Sequence, residues 1–197
     1  MMPVLIEHIH KSYGDKTVLR DFSCCFEPGR AYCICGPSGS GKTTLLRLVC
    51  GLETPDSGAI SGMKGKKISA VFQEDRLLEN LSAEKNIMLT ARSGFSSSDA
   101  ARLLSRLGIA DVKKPAGAFS GGMKRRCAVA RALAAEYDML ILDEPLTGLD
   151  EVSRKAVLQA IRDESAGKTL LCATHSTDFA DFFSAETVLI PSIQTEG

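Results

Sequence analysis

Residues 36–43 read Gly36-Pro37-Ser38-Gly39-Ser40-Gly41-Lys42-Thr43, and this octet decides the fold. Upstream of it, Ala31-Tyr32-Cys33-Ile34-Cys35 is a short apolar run of the kind that forms a buried strand. Downstream, after Thr44, Leu45-Leu46-Arg47-Leu48-Val49-Cys50 has helical spacing up to Gly51. A GxxxxGK[ST] stretch between strand and helix is a phosphate cradle. Its glycines let the main chain come close, its N–H groups point inward at phosphate oxygens, and the following helix adds its positive N-terminal end. In such a loop Lys42 reaches the β- and γ-phosphates and the Thr43 hydroxyl ligates Mg2+. The octet therefore predicts a nucleoside triphosphate with a divalent cation.

A second run complements it. Met139-Leu140-Ile141-Leu142 is continuously apolar, as expected of a parallel strand covered on both faces, and Asp143-Glu144 follows. A carboxylate at the C-terminal end of such a strand lies where ligands bind in an α/β sheet. Asp143 is placed to hold Mg2+ through water. Glu144, one residue further, is placed to polarise an attacking water as general base.

Outward from these runs, Val4 to Ile9 and Val18 to Phe26 read as strands around a turn at Tyr13-Gly14-Asp15. Residues 52–67 hold Pro55, Asp56, Gly58, Gly62 and Gly65 and read as a looped stretch with one hairpin, before a strand at Ile68 to Phe72. Between residues 80 and 115 the texture turns helical, over AEKNIMLTA and SSDAARLLSRLGI, with Ser96 to Ser98 as N-cap candidates. Further helices are predicted over Gly121 to Glu136 and Val152 to Glu164, and further strands over Thr169 to Ala173 and Thr187 to Ile190. Strands alternating with helices imply a mostly parallel sheet. The expected architecture is one α/β domain. Residues 1–79 and 116–197 form a P-loop NTPase core with an N-terminal antiparallel β subdomain. Residues 80–115 form an inserted α-helical subdomain that extends into the helix at Gly121.

Composition narrows the function classes. The chain has 197 residues, with 24 Lys+Arg against 24 Asp+Glu, so it lacks the basic field of a dedicated nucleic-acid binder, and no nucleic-acid partner is expected. No apolar run approaches the ~18 residues of a membrane span. His8, His10 and Lys11 interrupt the apolar N-terminus, so no secretion signal is expected. The cysteines number seven and form no CxxC pair, so they are expected to serve as small buried apolar side chains in a reducing cytoplasm. The alternative is a redox role for Cys35, just before the cradle.

Given these runs, Phe119-Ser120-Gly121-Gly122-Met123 resembles the LSGGQ signature of the nucleotide-binding ATPase subunits of ATP-binding-cassette (ABC) transporters. The resemblance covers nearly the whole chain. Ser-Gly-Gly at a helix start offers free N–H groups, a hydroxyl and a helix dipole to an anion. The resemblance implies that Ser120, Gly121 and Gly122 close over the γ-phosphate held by a second copy, in a head-to-tail dimer with two ATP at the interface. It implies that ATP lies on Gly36 to Thr44 with Tyr13 stacked on adenine, and Mg2+ on Thr43, Gln73 and Asp143. Gln73 would report the γ-phosphate, and Leu149-Asp150 would cross to the partner. His175 would contact the γ-phosphate and position the water, so that Glu144, His175 and Lys42 form the catalytic set.

What the family does sets the expected activity: ATP hydrolysis by a cytoplasmic subunit, peripheral on the inner face of the cell membrane. It would power transmembrane permease subunits, together with a solute-binding protein. VFQEDRLLENLSAEKNI, SGGMKRR and CAVARAL resemble the nitrate, sulfonate and taurine importer type. The alternative is a soluble ABC-type ATPase uncoupled from transport. A third class, a P-loop phosphotransferase, would need an acceptor site and a lid in place of the Ser-Gly-Gly helix. Departures from the family pattern are Phe119, Met123, Arg125 in place of a Gln, Ser176 in place of an Asp, and Phe179 in place of an acid. The chain ends soon after Ile190, where many importer ATPases continue into more helices.

Overall fold

The computed structural model describes residues 2–193. Eight strands make two sheets. β1 (Val4–Tyr13), β2 (Lys16–Phe26) and β4 (Ser57–Ser61) form an antiparallel sheet in the order β2-β1-β4. β3 (Ala31–Cys35), β5 (Ile68–Val71), β6 (Met139–Asp143), β7 (Thr169–Ala173) and β8 (Glu186–Leu189) form a wholly parallel sheet in the order β5-β6-β7-β3-β8. The expected α/β class, parallel core sheet and N-terminal antiparallel sheet are all present. The last strand runs one residue earlier than expected.

The helices are α1 (Lys42–Val49), α2 (Ala83–Met88), α3 (Ser97–Arg106), α4 (Gly121–Ala134), α5 (Glu151–Glu164) and α6 (Asp178–Phe183). Local chemistry accounts for their starts. Ser96 caps α3 through a reciprocal pair: its hydroxyl accepts from Asp99 N at 3.2 Å while Asp99 Oδ2 accepts from Ser96 N at 2.9 Å. Ser82, Ser120 and Asp150 cap α2, α4 and α5 one-sidedly, each side chain accepting from the backbone N–H three residues on.

Apolar residues of β6 alternate between two cores. Leu140 and Leu142 face a cluster with Leu104, Cys127, Leu133 and Ile161 from α3, α4 and α5. Met139 and Ile141 face the other cluster, with Leu45 and Leu46 of α1 and Ile6 and Ile9 of the small sheet. The period of two, with both faces covered, is why the run is apolar throughout. α2 and α3 pack on α4, so Ile87 and Leu107 are fully buried in the first cluster.

Two expectations need correction. Residues 52–67 contain no hairpin of their own. Ser57–Ser61 instead joins β1, with Leu5 opposite Ser61 and Ile6 opposite Ile60. The glycines there read as loop punctuation, but Gly58 sits at φ +87°, where a Cβ would fall 2.4 Å from His8 O. The close crossing of β1 by its neighbour demands glycine at that point. The second correction is α6, a six-residue helix that the sequence reading left unassigned.

Cys33, Cys127 and Cys172 are buried as expected, but Cys24, Cys35 and Cys50 are only half-buried and Cys25 is exposed. Burial pushes the Cys24, Cys33, Cys50 and Cys127 thiols up to about 12 and Cys172 well above its ordinary value. These are packed, protonated thiols rather than activated ones.

Candidate functional site

The parallel sheet gathers the site at one edge. Gly36 follows β3 directly, Gln73 lies two residues past the end of β5, Asp143 ends β6 and His175 lies two residues past the end of β7. All these strands run the same way, so their carboxyl ends share one rim. A pocket of about 290 Å³ on that rim is lined by Ser38, Gly39, Gly41, Lys42, Thr43 and Thr44 of the cradle. Tyr13, Gln73, Asp143, Glu144 and His175 line the same pocket.

The cradle is tightly seated. A Cβ on Gly36 would lie 2.6 Å from both Ile190 O and Ser40 Oγ. Gly41, at φ +101°, would place one 2.7 Å from Val18 O. No side chain fits at either point, so the loop follows one path between β2 and the end of β8. Lys42 Nζ folds back over it, donating to Gly36 O at 2.8 Å and Pro37 O at 3.0 Å. It also lies 3.4 Å from His175 Nε2. Ser40 Oγ is buried beneath the loop with no hydrogen-bond partner.

Thr43 and Asp143 meet directly: the hydroxyl donates to Asp143 Oδ2 at 2.7 Å. Asp143 is 1% exposed. Burial pushes its carboxyl up from the ordinary range, the Thr43 hydrogen bond opposes this, and the neighbouring Glu144 adds to it. Among the described residues no group of three or more His, Cys, Asp or Glu could hold a metal alone. Magnesium needs no such cage, since it is held by one or two protein oxygens together with phosphates and water. The touching hydroxyl and carboxylate beside the cradle fit that donor set.

Glu144 takes an uncommon backbone, φ +52°, held by its N–H donating to Ala173 O at 2.8 Å. Its Oε2 accepts from Thr147 Oγ1 at 3.2 Å and Thr174 Oγ1 at 3.3 Å. Its Oε1 is buried without a hydrogen-bond partner, and His175 Nε2 lies 3.7 Å away. One oxygen is therefore anchored and the other left free at the pocket. Thr147 and Thr174 escaped the sequence reading. Thr174 was findable only through register, because Asp143 pairs with Ala173 and so sets Glu144 beside Thr174.

Tyr13, at the end of β1, is 46% exposed. Its hydroxyl is hydrogen-bonded to Glu53, lies 3.4 Å from Thr44 Oγ1, and Lys11 Nζ sits 5.5 Å from the ring centroid. Burial and the Glu53 carboxylate push the phenol up, so the ring stays neutral. Glu53 was not singled out from sequence.

Ser120, Gly121 and Gly122 are elsewhere. They form the start of α4, with Ser120 and Gly121 exposed and Gly122 half-buried, and Ser120 Oγ accepts from Met123 N at 3.3 Å. A Cβ on Gly122 would come within 3.4 Å of Leu149 Cδ2, so the signature turn abuts the Leu149-Asp150 loop. None of the three lines the pocket on the sheet rim. Of the departures, Phe119 is buried in the core, as is Phe179, which stacks on Phe183 at 4.6 Å. Ser176 Oγ accepts from Asp178 N at 3.1 Å at the start of α6.

A profile of the family described as ABC transporter matches residues 19–147. The chain is 36% identical over 196 residues to Nod factor export ATP-binding protein I of Burkholderia orbicola. That match takes in 91% of this chain and 64% of the relative, so the chain spans less than two thirds of that protein's length. It is 37% identical over 191 residues to aliphatic sulfonates import ATP-binding protein SsuB 2 of Burkholderia lata, covering 91% of this chain and 70% of that protein. Among solved structures, the dimeric ATP-binding cassette MJ0796 in a post-hydrolysis state with ADP and Pi superposes at TM-score 0.83, covering 97% of both chains at 24% identity. This likeness is one of fold. A second dimeric structure of MJ0796 superposes at TM-score 0.79 with 26% identity, over 95% of this chain and 94% of that one.

Proposed function

The chain belongs to the ABC transporter family, and from that premise we propose that it binds MgATP, pairs head to tail with a second copy and hydrolyses ATP to power a membrane permease. The observation that carries the hydrolytic part is the Glu144 carboxylate. One oxygen is fixed by two threonine hydroxyls, and the other is buried, unpartnered and turned to the pocket beside His175. A carboxylate so held accepts a proton from water without first breaking a hydrogen bond of its own.

The other roles follow from position. The cradle N–H groups hold the triphosphate. Lys42 leaves the carbonyls of Gly36 and Pro37 for the β- and γ-phosphates. Thr43 and Asp143 hold Mg2+, with Gln73 lining the same pocket. Magnesium, when bound, neutralises phosphate charge. His175 orients the water and the γ-phosphate, and Tyr13 stacks on the base. Ser120 and Gly121 are exposed, Gly122 is half-buried, and all three lie outside their own chain's pocket, which supports their acting on the nucleotide of a second copy.

The permease reading rests on the segment after Gln73. Leu78 is 49% exposed, with Met88 and Leu89 also exposed on the neighbouring helix end. The acids of this segment are engaged internally: Glu79 with Lys124, Asp75 with Arg125, and Glu74 with Arg76. Docking would therefore rest on the apolar side chains. Residues 80–115 would move as a helical unit against the core. Among the described residues no helix is long and apolar enough to cross a membrane. The chain would sit on the cytoplasmic face, attached through the permease. Import with a solute-binding protein is favoured by Met123 after Ser-Gly-Gly and by the sulfonate-import relative; the Nod factor export relative makes export the competing direction. The test is phosphate release from MgATP without any acceptor, with Lys42→Ala as control, followed by co-purification with the permease. Absence of phosphate release from wild type, with and without permease, removes the ATPase reading. Hydrolysis with no permease association would favour the uncoupled ATPase.

A further inference from the structure

Between β5 and α2, residues Phe72 to Ser82 form neither helix nor strand, yet this stretch is fastened to α4 by side chains. Arg125, on α4 and only 9% exposed, donates from Nη1 to Phe72 O at 2.6 Å and from Nη2 to Gln73 O. Its Nη1 also lies 3.2 Å from Asp75 Oδ1. One turn and a half further along α4, Arg131 donates to Arg76 O at 2.7 Å and Asp75 O at 2.9 Å. Lys124 pairs with Glu79 at 2.6 Å. Four carbonyl contacts, to Phe72, Gln73, Asp75 and Arg76, thus run from one helix to the segment around Gln73. The cap of that helix is Ser120, about 7 Å along the axis from Arg125 at the usual helical rise.

The residue type matters. A glutamine at this position has a single neutral NH2 group. The guanidinium has a planar fork that meets two carbonyls and a carboxylate at once and never loses its charge. Burial makes the contact costly to break, because its loss leaves two carbonyls without a donor and a buried acid without its counter-charge.

We propose that Arg125 is a positioning residue that locks the backbone of Gln73 to the helix carrying Ser120, so that the signature turn and the Gln73 amide move together. This deepens the proposed ATPase function, from which it takes the role of Gln73, while the fastening itself stands apart from it.

The test uses the full chain and two readouts. Amide hydrogen exchange is followed over residues 72–79 without nucleotide. In Arg125→Met this segment is expected to exchange about tenfold faster or more, the effect of losing charge-assisted hydrogen bonds, while α1 and β6 stay as in wild type. In steady-state hydrolysis, Arg125→Met is expected to lower kcat about tenfold while KM for MgATP changes less than about threefold, since the cradle is untouched. Arg125→Lys should recover little, and Arg125→Gln part of the rate. Combining Arg125→Met with Gln73→Ala should cost no more than Gln73→Ala alone, as expected of two residues acting as one unit. If Arg125→Met does not accumulate folded, Arg125→Lys and Asp75→Asn carry the same comparisons. Unchanged exchange over 72–79 overturns the proposal, and so do losses that multiply in the double variant. A wild-type chain that releases no phosphate sinks the ATPase reading instead, and the exchange measurement still decides the fastening.

Discussion

The Thr43 hydroxyl donates to Asp143 Oδ2 at 2.7 Å across one hundred residues of chain, and Asp143 is 1% exposed. Burial raises this carboxyl above its ordinary value. A raised acid holds its proton more tightly in the folded state than in the unfolded one. Its stabilising contribution is present at low pH and is lost as pH rises through the folded value. At neutral pH the ionised Asp143 is therefore a burden on the nucleotide-free fold. Asp143→Asn is expected to stabilise that form by about 1–2 kcal/mol near pH 7, with little gain near pH 4, and to abolish Mg2+-dependent phosphate release. Thermal unfolding across this pH range, with phosphate release at neutral pH, checks both. A lower melting temperature at neutral pH would count against the argument.

Glu144→Gln keeps an amide oxygen for the Thr147 and Thr174 hydroxyls, so the fold should persist. The lost base should slow hydrolysis at least about 100-fold while ATP binding remains. The ATP-bound variant should accumulate as a dimer by light scattering or gel filtration. Near-normal turnover would remove Glu144 from the role of base.

Tyr13→Ala should weaken ATP binding several-fold or more, since a stacked base is worth roughly 1–3 kcal/mol in comparable single-strand sites. Tyr13→Phe, which keeps the ring and loses the Glu53 hydrogen bond, should stay closer to wild type. Titration with a fluorescent ATP analogue separates the two. Equal affinity in wild type and Tyr13→Ala would mean that the ring does not touch the base.

Much of this is legible in the sequence alone. Met139 to Leu142 announced a strand covered on both faces, and the octet at Gly36 fixed the strand–loop–helix around it. What stayed hidden depends on relations between distant segments. Ser57–Ser61 is polar and glycine-broken because it crosses β1 closely, so its pattern imitates a loop. α6 has only six residues, too few to show a helical period. Thr174 reaches Glu144 through the β6–β7 register, and Arg125 reaches Phe72 and Gln73 only because α4 lies over that segment. The pairings of Asp75 with Arg125 and of Glu79 with Lys124 join residues remote in sequence, so no local pattern shows them.

The exposed start of α4 allows a sharing test. Lys42→Ala removes the phosphate-reaching ammonium and leaves Ser120 intact; Ser120→Arg does the reverse. Each variant alone should be inactive. Mixed, the Lys42 of one chain would face the Ser120 of the other and restore one composite site, giving phosphate release above either variant alone. Mixtures that never exceed the separate variants, where wild type is active under the same conditions, would withdraw support from site sharing.

Leu78 tests the membrane partner. Asn86, fully buried, accepts from Leu78 N at 2.8 Å and donates to Leu78 O at 3.0 Å, to Leu81 O at 3.3 Å and to Ser82 O at 3.1 Å. The backbone at Leu78 is thus fixed from within while its side chain remains 49% exposed. Leu77, by contrast, packs against the core. An exposed side chain on a backbone fixed this way contributes little to folding, so Leu78→Asp should change stability by no more than about 0.5 kcal/mol. The isolated variant should therefore fold and bind ATP as wild type does. If the apolar side chains of this segment receive a short helix of a permease, a charge there desolvates on docking with no partner, because the nearby cations are already paired with Asp75 and Glu79. Co-purification with a co-expressed permease should fall and transport should be lost. A variant that unfolds would show Leu78 to be core. One that folds, retains the permease and transports at the wild-type rate would show that docking takes place on another surface.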